Sequence, residues 1–110
     1  MRLFIFGFRF TGQALARRLT PKGWSVSGAR RATPVDEART AAATADAVLV
    51  SAPPGEQGCP ALPVLEGVSV PWLGYLSTTG VYGDRGGRWA FEDSAVRPQS
   101  VEGARRAQAE

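Results

Sequence analysis

The apolar positions along this chain come in short unbroken runs separated by longer mixed segments. Arg2 to Phe8 is almost continuously apolar and rich in Phe and Ile, which predicts a strand buried on both faces. From Thr11 to Lys22 the pattern turns helical, with Ala14, Leu15 and Leu19 on one side, Arg17 and Arg18 on the other, and Gly23 placed as a C-terminal cap. Trp24 to Ala29 predicts a second, shorter strand. Thr33-Pro34-Val35-Asp36-Glu37 reads as a helix start, with a Thr cap, proline at the first helical position and acids in the first turn, running to about Ala45.

Ala47 to Ser51 is a third buried strand, stopped by Pro53-Pro54-Gly55. Gly55 to Pro71 is broken by Gly58, Pro60, Pro63 and Gly67, a loop with room for one helical turn. Trp72 to Ser77 is a fourth strand, and Gly83 to Pro98 an irregular polar loop carrying Trp89. Ser100 caps a last helix that runs to Glu110. Strands alternating with helices imply an α/β fold, a Rossmann-like doubly wound parallel sheet. Only Ala32 to Ala45 separates the second strand from the third, enough for one helix, so four strands are expected.

The length of 110 residues suits a single domain with a modest core, and 44% hydrophobic with 21% charged residues describes a globular chain. The last predicted helix has no following segment to cover it, so the chain reads as one incomplete domain, the N-terminal fragment of something longer. The formal charge of +3 rests on thirteen basic against ten acidic residues, scattered in ones and twos, and this argues against nucleic acid as a partner. Cys59 is the only cysteine and the chain has no histidine, so an intramolecular disulfide, a Cys/His zinc site and a histidine-activated nucleophile are all excluded. No run approaches the length of a membrane span, and Gly7 and Arg9 interrupt the first apolar run too early for a signal peptide. A cytoplasmic protein with no membrane partner is expected.

The chemistry concentrates at the first strand–helix junction. Gly7-Phe8-Arg9-Phe10-Thr11-Gly12 is the G-x-G-x-x-G turn of a dinucleotide-binding unit with Arg9 in the middle glycine position. Gly7 permits the tight turn, and Gly12 lets the helix approach the strand. Arg9 either blocks a pyrophosphate or swings aside and pairs with it. Arg30-Arg31 follow the second strand, where an acidic residue would read the ribose hydroxyl of NAD and arginine would accommodate the 2′-phosphate of NADP. NADP is therefore the expected cofactor, with NAD second. Ser51 and Ala52 end the third strand at the carboxyl edge of the sheet and are expected to bind the cofactor with Gly7, Arg9, Phe10, Thr11, Gly12, Arg30 and Arg31.

Leu76-Ser77-Thr78-Thr79-Gly80-Val81-Tyr82-Gly83 resembles the S-S/T-x-x-V-Y-G segment of the extended short-chain dehydrogenase/reductases, the NAD-dependent epimerase/dehydratase-like branch. Ala45-Asp46-Ala47-Val48-Leu49-Val50-Ser51-Ala52 is similar to that family's D-A-V strand, and Pro98 to Arg106 looks like its P-x-S-x-Y-G-x-S-K helix. The resemblance covers essentially the whole chain, and it implies a truncated sheet of four parallel strands in the order 2-1-3-4, lacking one outer strand because the family's further strand and helix do not fit between Arg31 and Ala45. It implies hydride transfer at a hydroxyl-bearing carbon of a small metabolite or nucleotide sugar. It also implies a small-molecule substrate as partner and admits a homodimer. Thr78 matches the Ser/Thr that orients the substrate, while the Tyr position holds Glu102 and the Lys position Arg106. These two departures leave open a non-catalytic NADP-binding sensor or scaffold, or a decayed fragment, beside the enzyme reading.

Overall fold

The computed structural model describes residues 1–30, 32–77, 79–84, 86–87 and 89–110. Its elements follow the alternation of the sequence: β1 (Arg2–Phe6), α1 (Phe10–Leu19), a 3-10 turn (Thr20–Lys22), β2 (Ser25–Ala29), α2 (Val35–Ala43), β3 (Ala47–Val50), α3 (Ala61–Leu65), β4 (Trp72–Tyr75), a second 3-10 turn (Thr79–Tyr82) and α4 (Val101–Ala109). The four strands form one parallel sheet in the order β2-β1-β3-β4, the order that the motif resemblance implies.

The chain packs as two compact units. The first, Met1–Ala52 with Pro60–Leu76, holds the sheet and α1 to α3. Alternation along each strand sends Leu3, Ile5, Ala47 and Leu49 to one face, where Phe8, Leu15, Leu19, Trp24 and Val26 pack on them. The opposite face carries Phe4, Val48 and Val50, all buried, as are Ala38 and Ala42 of α2 and Ala61 and Val64 of α3. Ile5 and Val48 are the largest fully buried side chains of the protein's described residues. Asp46 ties the start of β3 to the start of β1 in both directions: its Oδ2 accepts from Arg2 N (2.7 Å), and its own amide donates to Arg2 O (2.9 Å).

The helix boundaries differ from expectation at two places. α1 gives way at Thr20, where Pro21 cannot continue the ladder, to a 3-10 turn closed by Gly23 in the left-handed region (φ 90). α2 begins at Val35 with Pro34 as its N-cap and without a side-chain cap. Thr33 does not cap this helix, because its hydroxyl instead accepts from the Arg30 amide (3.0 Å). The strands are also shorter than the apolar runs: β1 ends at Phe6, β2 begins at Ser25, and β4 ends at Tyr75.

The second unit comprises Pro53–Cys59 with Ser77–Glu110. Ser100 caps α4, its Oγ accepting from Gly103 N (2.9 Å), which is the cap the sequence predicts. Among the described residues no helix is long and apolar enough to cross a membrane.

Candidate functional site

The carboxyl ends of three strands converge on Gly7. The amides of Gly7 and Phe8 both donate to Ala29 O at the end of β2 (2.9 and 3.0 Å). From β3, Ser51 N and Ala52 N donate to Phe6 O (2.8 and 3.1 Å), and Ser51 Oγ donates to Gly7 O (2.7 Å). Gly7 has φ 95, and a Cβ there would lie 2.6 Å from Ala52 N. Glycine is thus required twice over, by backbone conformation and by the backbone of the neighbouring strand. Ser51 and Ala52, expected as cofactor-binding residues, are the groups that set the turn.

Gly12 is buried in the first turn of α1, where a Cβ would lie 3.2 Å from Ile5 Cγ2 and 3.1 Å from Phe8 Cδ2. It brings the helix close to β1, as the motif implies. The helical ladder starts with Gln13 N donating to Arg9 O (2.8 Å). The amides of Phe10, Thr11 and Gly12 precede it and have no partner among the described residues. No acidic side chain stands in this first turn and no side chain caps it. These are three donors at the positive end of a helix dipole, suited to an anion.

Arg9 is the N-cap of α1, with φ −121 and ψ −142. Its φ is negative, so the middle position of the motif does not need glycine for a left-handed backbone. The Arg9 side chain is exposed and makes no hydrogen bond or ion pair among the described residues. Phe10 is exposed too, and so is Thr11. Arg30 reaches the same place from the end of β2: its Nε donates to Phe8 O (3.0 Å), while its terminal guanidinium nitrogens have no partner among the described residues. Arg31 lies outside the described residues.

Phe8 is the residue that motif reading passes over. Its ring lies against Gly12, and its side chain crosses β2 at Gly28, where a Cβ would come within 2.4 Å of Phe8 Cβ. Its carbonyl receives Arg30. A glycine inside a predicted strand was the available signal, since such a position marks close approach by another group.

The residues matched to a catalytic helix belong to the second unit. Glu102 and Arg106 stand one turn apart on α4, Glu102 exposed and Arg106 half-buried. Thr78 lies outside the described residues. Ser77 Oγ donates to the Glu110 carboxylate, and Arg105 pairs with Glu56 at 4.0 Å, an exposed and therefore weak ion pair. The structure therefore gathers Gly7, Arg9, Phe10, Thr11, Gly12, Arg30, Ser51 and Ala52 at one edge of the sheet, and carries Glu102 and Arg106 on a separate unit.

No family model and no curated protein matches the chain. Solved structures do. A conserved protein of unknown function from Silicibacter pomeroyi superposes with a TM-score of 0.81 at 30% identity, over 98% of this chain and 46% of its own. A protein from Methylobacillus flagellatus, assigned to the NAD-dependent epimerase/dehydratases, gives 0.75 at 26% identity, over 98% and 48%. A short-chain dehydrogenase/reductase superfamily protein from Agrobacterium tumefaciens, solved with bound NAD, gives 0.70 at 19% identity over 99% and 43%, a likeness of fold. The chain thus has the Rossmann-like fold of epimerase/dehydratase and short-chain dehydrogenase/reductase proteins, the group its motifs resemble. It spans less than half the length of each of these solved chains.

Proposed function

We propose that this chain is the nucleotide-binding part of an epimerase/dehydratase-like oxidoreductase and that its cofactor is NADP. The observation that carries this reading is the donor set around Gly7: three unpartnered amides opening α1, with Arg30 anchored on Phe8 O beside them. A pyrophosphate fits the amides, since nothing acidic and no side-chain cap competes for them. Arg30 has terminal nitrogens to spare for a ribose phosphate, which a bidentate guanidinium recognises better than it does a neutral hydroxyl. Arg9, exposed and unpaired, acts as a phosphate ligand rather than as a plug. Ser51 holds the loop by donating to Gly7 O, and its oxygen keeps lone pairs to accept from a nucleotide hydroxyl.

Bound NADP would supply a nicotinamide carbon that accepts or returns hydride. By the motif resemblance, Thr78 would orient the hydroxyl-bearing carbon of a small metabolite or nucleotide sugar. Glu102 would move the proton and Arg106 would hold the ribose. Glu102 also favours a second reading, a non-catalytic NADP-binding module, because an ordinary carboxyl and a phenol differ by about six pKa units as proton-transfer groups.

Calorimetric titration with NADPH and NADH tests the binding claim. Heat with NADPH and a weaker signal with NADH are expected, and silence with both would sink it. Arg9→Gly should weaken NADPH binding; tighter binding would make Arg9 an obstruction. Where NADPH binds, slow turnover of a hydroxylated substrate that disappears in Glu102→Gln supports the enzyme reading. Binding without any turnover supports the module.

A further inference from the structure

Phe8 is half-buried, and three separate contacts fix it to β2. Its amide donates to Ala29 O (3.0 Å), and its carbonyl accepts from Arg30 Nε (3.0 Å). Its side chain fills the space beside Gly28: a Cβ on that glycine would lie 2.4 Å from Phe8 Cβ, 2.5 Å from Cγ and 2.7 Å from Cδ2. A χ1 rotation moves Cγ and the ring but not Cβ, whose place is set by the main chain. A side chain at residue 28 therefore fits only if the backbone of Phe8 or of β2 shifts, and with it the carbonyl that receives Arg30. Gly28 does not have a positive φ, so what requires glycine there is Phe8 and not the conformation of the strand.

Arg30 is held at both ends. Its amide donates to Thr33 Oγ1 (3.0 Å) and its Nε to Phe8 O. A guanidinium can meet an oxyanion through Nε and one terminal nitrogen, or through its two terminal nitrogens. The Phe8 carbonyl takes the Nε proton, which leaves the pair of terminal nitrogens as a bidentate donor whose plane is fixed by that bond.

We propose, resting on the NADP reading above, that Phe8 and Gly28 are positioning residues for recognition of the ribose phosphate. The gap at Gly28 lets Phe8 seat against β2, and the seated Phe8 carbonyl orients Arg30 so that its terminal nitrogens meet the 2′-phosphate. Preference for NADP over NAD then rests on the placing of Arg30 as much as on its charge. An arginine pinned at Nε has already given up much of the rotamer freedom that a free one loses on binding. A lysine has no planar fork for the carbonyl to orient.

Calorimetric titration with NADPH and NADH, run beside denaturant unfolding, tests this. The wild-type protein should prefer NADPH, and Gly28→Ala should lose about tenfold of that preference. Arg30→Lys keeps the charge without the oriented fork and should fall to the level of Arg30→Ala. Residue 30 is exposed, so this variant reads the same proposal where Gly28→Ala does not fold. In an Arg30→Ala background, Gly28→Ala should change the preference no further, because the glycine acts through that arginine. Gly23→Ala isolates the effect of stability: its φ of 90 disfavours alanine, yet nothing lies within 4 Å of the added Cβ. It should destabilise the fold and leave the preference intact. A native preference in Gly28→Ala or Arg30→Lys, an equal loss for both nucleotides in Gly28→Ala, or a further loss in the Arg30→Ala background would each overturn the positioning role and leave NADP as the cofactor. A wild-type protein that binds neither nucleotide, or NADH as tightly as NADPH, overturns the NADP reading and this proposal with it.

Discussion

The two units of this chain are built on unequal foundations. In the first, thirteen residues from Leu3 to Val64 are buried hydrophobics, spread over both faces of a four-stranded sheet; in the second, only Cys59 and Val81 are, among the described residues. The second unit is not short of apolar residues. Trp89, Phe91, Val96 and Val101 all belong to it, and they are more than half exposed. The difference lies in periodicity. Strands and amphipathic helices put apolar groups on one face, where they bury each other, whereas the irregular polar segment from Gly83 to Pro98 has no such face to offer. The nucleotide-binding loop is thus set on a packed scaffold, whereas the helix matched to catalysis starts at a Ser100 cap and packs on the short 3-10 turn Thr79–Tyr82.

The sharpest way to break this comparison is to hollow the scaffold. Ile5→Ala should cost about 2–5 kcal/mol in denaturant unfolding, as fully buried isoleucines do; a loss as small as that of a surface change would mean the sheet carries little of the stability. Next, Gly7→Ala should cost about 1–3 kcal/mol, because it forces a positive φ on a residue with a Cβ and drives that Cβ into Ala52. NADPH binding should fall with it, so calorimetry and unfolding read the same loop. Arg30→Ala should lower NADPH affinity about tenfold, or about 1.4 kcal/mol, and leave NADH affinity and stability nearly unchanged. Equal losses for both nucleotides would assign Arg30 to the pyrophosphate instead. The smallest effect belongs to the second unit: Ser100→Ala should cost about 1 kcal/mol, visible as faster amide exchange in α4 with NADPH binding intact.

Much of the first unit was legible because its signals are local. The apolar runs announce the strands, and the Gly7-to-Gly12 spacing announces the turn between the first strand and the first helix. The short Ala32–Ala45 segment limits the sheet to four strands. What misled was competition for single groups. Thr33 reads as a helix cap, yet its hydroxyl goes to the Arg30 amide, a partner three residues back that no cap rule considers. The run to Phe8 reads as strand, but the Ala29 carbonyl takes the amides of Gly7 and Phe8 and turns the chain away.

By itself, then, the sequence determined the order and type of the elements, the parallel sheet, and the identity of the glycine turn, since each follows from periodicity or from the conformations open to glycine and proline. Tertiary structure alone decided that Ser51 and Ala52 clamp the loop, that Phe8 crosses the strand at Gly28, and that Arg30 anchors on the Phe8 carbonyl. Those facts depend on contacts between residues 20 to 45 positions apart, or on which side of a strand meets another, and no local pattern encodes them.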